Sequence, residues 1–276
     1  MTKVAIIAGS KSDEKAVKPI EAILGEAKVS YETVYLSAHR DKEKLSDYVK
    51  KSDANYFIAL AGLAAALPGS IAADTSKPVI AVPVWGGSSS SPGGLDALFA
   101  AVQMPPPKDG KNVALGCVRI DGSEYAAQFV LNCINMNQNT EFDIGFVNVN
   151  EGYIQKVNDL SAMLAQYDIK SRVLDKENQT ADEAKKNKIN ILLTNDPLRK
   201  IDVLRYTEQP LIVVPLLEPE EANIFGSGQY FGYPSFNDMH RLWHIICKVM
   251  LNEPAVSVGF NRIDNAAYFA KKLLRK

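Results

Sequence analysis

Short apolar runs alternate with amphipathic stretches through the first half of the chain. Residues 4–8, 31–36, 56–61, 79–84 and 113–118 are rich in Val, Ile and Tyr and end in small or polar residues, the pattern of buried strands. Helical spacing fills the gaps, at 14–27, 41–52, 64–75, 94–103 and 122–136. In the first of these Val17, Ile20 and Leu24 share one face. Pro19 interrupts that pattern, so a late start or a kink is expected there. Regular strand–helix alternation predicts a parallel sheet covered on both faces. The expected fold class is α/β: a three-layer αβα sandwich with a flavodoxin-like, doubly wound sheet.

The pattern then starts again. Ile134-Asn135-Met136-Asn137-Gln138-Asn139-Thr140 reads as a helix end plus linker, and Ile144-Gly145-Phe146-Val147 opens a second series. Three stretches match across the halves. The run Thr75 to Pro83 matches Thr207 to Pro215. Arg119-Ile120-Asp121 matches Arg262-Ile263-Asp264. Val17, Ile20 and Leu24 match Val157, Leu160 and Leu164. The expectation is a fold duplicated in tandem, with domains at 1–138 and 139–276.

Composition narrows the classes. Lys and Arg total 31 against 32 Asp and Glu in 276 residues, and residues 1–140 carry 14 of each sign. Neither half has the basic excess of a nucleic-acid binder. An apolar share of 46% and a charged share of 23% are ordinary for a globular protein. No apolar run nears the roughly 18 residues of a membrane span. The first residues read as a strand and not a signal peptide. Cys117, Cys133 and Cys247 are odd in number and far apart, which predicts a reduced, cytoplasmic protein.

Ligands of such sheets bind beyond the carboxyl ends of the strands, so the residues after each strand matter most. After the first come Gly9-Ser10-Lys11-Ser12-Asp13. Backbone N–H groups and hydroxyls at a helix start suit a phosphate, and the Asp13 carboxylate suits sugar hydroxyls. A plain turn with Ser12 or Asp13 as N-cap is the simpler alternative. After the second come Ser37-Ala38-His39-Arg40. Imidazole exchanges protons near neutral pH, and Arg40 is a second anion ligand; a surface His beside a helix start is the alternative. After the third, Ala61-Gly62-Leu63-Ala64-Ala65-Ala66-Leu67-Pro68-Gly69 lets backbone N–H groups approach a flat ligand or carboxylate; a tight strand-to-helix crossing is the alternative.

These three segments together resemble the PurE family, which holds the aminoimidazole ribonucleotide (AIR) carboxylases and the N5-carboxyaminoimidazole ribonucleotide mutases of purine biosynthesis. Gly94-Leu95-Asp96-Ala97-Leu98 and Val102-Gln103-Met104-Pro105 are similar to its later part, so the resemblance spans about residues 3–136. It implies that Ser10, Ser12, Ser37 and Arg40 surround a 5′-phosphate and that Asp13 holds the ribose. It makes His39 the acid/base and gives the carboxyl group to the backbone of Ala61, Gly62, Leu63, Ala64, Ala66 and Leu67. It implies no cofactor or metal, a small-molecule substrate, and a homotetramer of two-domain chains with one working site each. Leu63 stands where the family's mutase branch has a second glycine, and Ala66 where that branch has histidine. Arg40 stands where the carboxylase branch has lysine. The expected activity is carboxyl transfer from N5 to C4; carboxylation by free carbon dioxide and a non-catalytic nucleotide-binding protein are the alternatives.

Other signals are weaker. His240 and His244 are four apart on a helical pattern but lack a third metal ligand. Gly110-Lys111-Asn112 lacks the rest of a P-loop, and no GxGxxG occurs. Phe225, Tyr230, Phe231, Tyr233 and Phe236 read as core or subunit contact, or as a lid. Opposite the first two loops, the second half has Val149-Asn150-Glu151-Gly152-Tyr153 and Glu177-Asn178-Gln179-Thr180. His39 to Pro78 is eight residues longer than Gln179 to Pro210, which predicts a copy that lost its carboxylate loop but kept its core.

Overall fold

The computed structural model describes residues 2–63, 65–85, 93–108, 112–174, 180–194, 208–216, 254–259 and 261–275. In the first half, β1 (Lys3–Ala8), β2 (Ser30–Tyr35), β3 (Tyr56–Ala61), β4 (Val79–Pro83) and β5 (Gly116–Cys117) alternate with helices. These are α1 (Glu14–Glu26), α2 (Lys42–Lys51), α3 (Ala66–Asp74), α4 (Leu95–Val102) and α5 (Ser123–Ile134). The second half holds β6 (Phe142–Val147), α6 (Glu151–Ala165), β7 (Ser171–Leu174), α7 (Ala181–Ala184) and β8 (Asn187–Thr194). It ends with β9 (Leu211–Pro215), β10 (Ala255–Ser257) and α8 (Ile263–Leu274).

The ten strands of the described residues form one sheet, in the order β2-β1-β3-β4-β5-β10-β9-β8-β6-β7. Each half therefore runs the same doubly wound order, all parallel within itself. The apolar runs are strands because both faces are covered: every residue of β3 and β4 is buried. Helix α1 begins at Glu14 and continues through Pro19, so the late start does not occur; Val17, Ile20 and Leu24 are fully buried. Only Gly116 and Cys117 of the run 113–118 pair as a strand.

The ladder registers give the equivalence of the halves. Ala5 pairs with Glu32 and Phe57 as Gly145 pairs with Arg172 and Asn190, so β1 and β2 map onto β6 and β7 at an offset of 140, and β3 onto β8 at 133. Phe57 pairs with Val79 as Asn190 pairs with Leu211, an offset of 132 for β4 and β9. Ile80 pairs with Gly116 as Ile212 pairs with Val256, which restores 140. Two sequence expectations are corrected. Seven of the eight missing residues fall between β2 and β3, where ten-residue α2 faces four-residue α7; one falls in the carboxylate-loop interval. And Asp121 corresponds to Asn261, not Asp264. Both have φ 53°, and their N–H groups donate to Pro83 O and Pro215 O at 2.8 and 2.9 Å.

The halves meet through like positions. Cys117 of β5 bridges Ser257 of β10 antiparallel, 140 residues on. Phe129 and Phe269, also 140 apart, stack with centroids 6.4 Å apart. One core cluster draws residues from both halves around them. Removing a buried ring costs about 3–5 kcal/mol. Phe269→Ala should lower the urea midpoint accordingly. Because the rings touch, Phe129→Ala and Phe269→Ala should fail to add by about 0.5–1.5 kcal/mol in a double-mutant cycle. Strict additivity would contradict a shared core.

Candidate active site

Strands β2, β1 and β3 are neighbours and parallel, so the loops after them emerge at one edge, roughly 5 Å apart per strand. Helices α1 and α5 pack together over one face, while α2, α3 and α4 pack over the other. The chain thus leaves β1 towards one face and β3 towards the other, which opens a crevice between them.

The first loop folds as a capping box. Ser10 Oγ accepts from the Ser12 N–H at 3.2 Å, and Asp13 Oδ2 accepts from the Ser10 N–H at 3.1 Å. Burial pushes the Asp13 carboxyl up, against the pull of its hydrogen bonds with Ser10 and Ser12. One Asp13 oxygen is thus committed to the loop, and the Ser12 hydroxyl lies 3.5 Å from the other.

The second loop is a tight turn. Ser37 Oγ accepts from the Arg40 N–H at 3.4 Å, and the Asp41 carboxylate reaches back to the Ser37 N–H at 3.1 Å. Ser10 and Ser37 both accept through oxygen from backbone, which leaves each hydroxyl proton for an anion. Arg40 Nη2 donates to Gly9 O at 3.4 Å and so ties the two loops together. His39 and Arg40 are exposed.

The third loop turns sharply. Leu63 and Ala65 both adopt left-handed backbone, at φ 53° and 37°. Ala65 caps α3 without a side-chain acceptor, which leaves the N–H groups of Ala66 and Leu67 free of a cap. Pro68 follows at the third position, where a missing N–H costs nothing. The Leu67 side chain is buried core, so only its backbone faces a ligand role. Ala61 is buried and its carbonyl accepts from the Val84 N–H at 2.9 Å; the Gly62 carbonyl accepts from the Ala65 N–H at 3.1 Å.

The structure thus brings Ser10, Ser12, Asp13, Ser37, His39, Arg40, Ala61, Gly62, Leu63, Ala66 and Leu67 to one edge. Ala64 lies outside the described residues, as do 86–92, 177–179, the aromatic stretch 225–236, and His240 and His244. Asp41, which closes the Ser37 turn at this edge, is a candidate that the sequence reading misses; a carboxylate at a helix start, two residues after His39, is the signal that could have found it. A cleft of 440 Å³ beside Ser12 and Asp13 is walled by Trp85, Asp121 and Glu124. Asp121 Oδ1 holds the Trp85 N–H at 3.0 Å, a contact with no local sequence signal. Among the described residues no group of three or more His, Cys, Asp or Glu could hold a metal ion, and no helix is long and apolar enough to cross a membrane.

The family model described as AIR carboxylase matches residues 3–143, just over half of the chain and all three loops. The chain belongs to this family. Among its curated relatives, the N5-carboxyaminoimidazole ribonucleotide mutase of Methanocaldococcus jannaschii is 46% identical over 128 residues, 46% of this chain and 76% of that protein. The mutase of the same name from Pyrococcus abyssi is 40% identical over 139 residues, 49% of this chain and 75% of that one. The crystal structure of Treponema denticola PurE overlaps 60% of this chain and 94% of its own at 19% identity, with a TM-score of 0.37.

Leu63 is half exposed and left-handed, a conformation that costs a residue with a side chain about 1–2 kcal/mol and glycine nothing. Leu63→Gly should raise the unfolding free energy, by up to about 1 kcal/mol once the looser unfolded chain is allowed for, and the midpoint with it. A lower midpoint would refute strain at this position.

Proposed function

We propose that the chain forms 4-carboxy-5-aminoimidazole ribonucleotide in purine biosynthesis by moving a carboxyl group from N5 to C4. The observation that carries this is that the His39 loop lies beside a phosphate-type loop, which has an uncapped helix start on its other side, on three adjacent parallel strands. The names of the relatives support the mutase reading. Ser10, Ser12, Ser37 and Arg40 bind the 5′-phosphate, and Asp13 accepts from the ribose hydroxyls. The N–H groups of Ala66 and Leu67 hold the carboxylate.

In the reaction, the N5–carboxyl bond breaks and carbon dioxide is released into the pocket. The imidazolium of His39 gives its proton to the departing nitrogen. C4 of the electron-rich ring then attacks the trapped gas, and the C4 proton returns to His39. Substrate and product are isomers, so the histidine ends as it began. Small apolar residues around the loop keep water from the gas. Ala66, in place of the mutase branch's histidine, favours a second reading in which free carbon dioxide is the donor.

Steady-state rates with the N5-carboxy nucleotide and with AIR plus bicarbonate separate the readings. A strong preference for the first supports the mutase, and for the second the carboxylase; turnover of neither overturns both. A positioned acid/base is worth roughly 10²–10⁴ in rate. His39→Asn should therefore lose at least 100-fold in kcat while nucleotide affinity stays within a few-fold.

The second half is a degenerate copy kept for packing and assembly, in a homotetramer with one site per chain. At the register of Ser10–Asp13 it has Asn150, Glu151, Gly152 and Tyr153, with a carboxylate where hydroxyls would meet phosphate. Substrate titration should saturate near one nucleotide per chain, and light scattering should give four chains per particle. Two equivalent sites per chain would contradict the degenerate copy.

A further inference from the structure

A cavity of 960 Å³ lies away from the loops described above, at the edge where β3, β4 and β5 begin. Asn55, Pro78 and Val113, which lead into those strands, form one wall. The other wall comes from the second half, from Tyr167 beyond α6 and the end of α8. Four cations of the described residues line the space: Lys77 from the first half and Lys271, Lys272 and Arg275 from the second. Among the described residues of the lining the one acid, Asp74, already pairs with Lys50 at 3.4 Å.

None of the four cations forms an ion pair among the described residues. They rest instead on carbonyls and rings. Lys77 Nζ donates to Ser52 O at 2.8 Å, and Lys272 Nζ to Ala114 O at 3.1 Å. Lys271 Nζ sits 3.0 Å from the centroid of the Tyr167 ring, and the Arg275 guanidinium 5.3 Å from that of Tyr56. Burial pushes the Lys272 ammonium down to about 8. Like charges gathered in a concave, low-dielectric space repel one another, and an anion is what relieves them. The volume suits a small organic ligand. Tyr167 and Tyr268 add aromatic faces beside the charge.

We infer that this cavity, between the start of β3–β5 and the end of α8, binds a phosphorylated small molecule carrying two or more phosphate groups. The phosphates bridge Lys77 on one wall to Lys271 and Arg275 on the other, and the tyrosines leave room for an attached base. The site is separate from the His39 crevice and does not depend on the reaction assigned there.

Isothermal titration of the full chain at low salt tests it with three probes: pyrophosphate, ATP and adenosine. Pyrophosphate and ATP should each saturate a site that weakens as salt rises, while adenosine should not bind. Lys271→Gln/Arg275→Gln should weaken both at least tenfold. Arg40→Gln, at the other edge, should leave the pyrophosphate affinity within about twofold. Lys77→Gln repeats the test from the opposite wall should the double variant melt early. The inference fails if neither phosphate probe saturates, if adenosine binds as well as ATP, or if Arg40→Gln abolishes binding that the cavity variants retain.

Discussion

One contact governs the architecture: the antiparallel bridge of Cys117 to Ser257, with Phe269 packed against it. Gly116 sits at this seam. A Cβ there would stand 2.8 Å from both the Phe269 ring and Val256, so the strands can meet only because the position is bare. Once β5 and β10 are joined, neither half has an exposed strand edge there, and a single apolar cluster runs through both. The two halves therefore share one sheet and one core, even though each repeats a complete sheet order. The cavity that faces Lys77 with Lys271 and Arg275 exists only because of this fusion.

The His39 crevice depends on a different consequence of topology. Strand β1 lies between β2 and β3, so three loops far apart in sequence become neighbours at one edge. Each loop is then made rigid locally. Asp13 closes the first on Ser10, Asp41 closes the second on Ser37, and left-handed turns at Leu63 and Ala65 close the third. Side-chain oxygens that accept from backbone cannot wander, so their protons point where the loop directs them. Such rigidity would suit the proton transfer proposed for His39, since transfer requires heavy atoms within about 3 Å.

Much of this was legible in the chain. Strand β3 begins and ends where its apolar run does, and α1 to α5 lie within a few residues of the helical spacing. Periodicity reports burial, and burial on both faces makes a parallel sheet easy to see. The loop motifs were legible for the same reason: they come directly after strand ends. What was hidden involved distance or register. The pairing of Cys117 with Ser257 needs no local signal, and neither does Asp121 holding Trp85. The Arg-Ile-Asp match misled by three residues because β5 and β10 are too short for a pattern to fix their register. The cationic cavity was invisible because Lys77 and Lys271 belong to different halves.

The second half bears the consequences of a shrunken covering helix. In the first half Phe57 of β3 and the α2 residues Leu45 and Val49 share one apolar cluster. At the position of Phe57 the second half carries Asn190, fully buried beside four-residue α7. Its amide donates to Ala184 O at 3.2 Å and accepts from Asn187, which in turn accepts from Arg172 at 2.8 Å. Arg172 also pairs with Glu183 at 2.9 Å. A sheet face that lost an apolar cover is thus closed by a fully hydrogen-bonded polar chain, which avoids the cost of exposed apolar surface and of unpaired polar groups alike. The closure leaves its mark on the backbone. Gly145 at the centre of β6 must be glycine, because a Cβ would collide with the Asn187 amide. The polar network and the missing residues between β7 and β8 are therefore one change. It left the sheet intact, and with it the seam that holds the first half's strands in place.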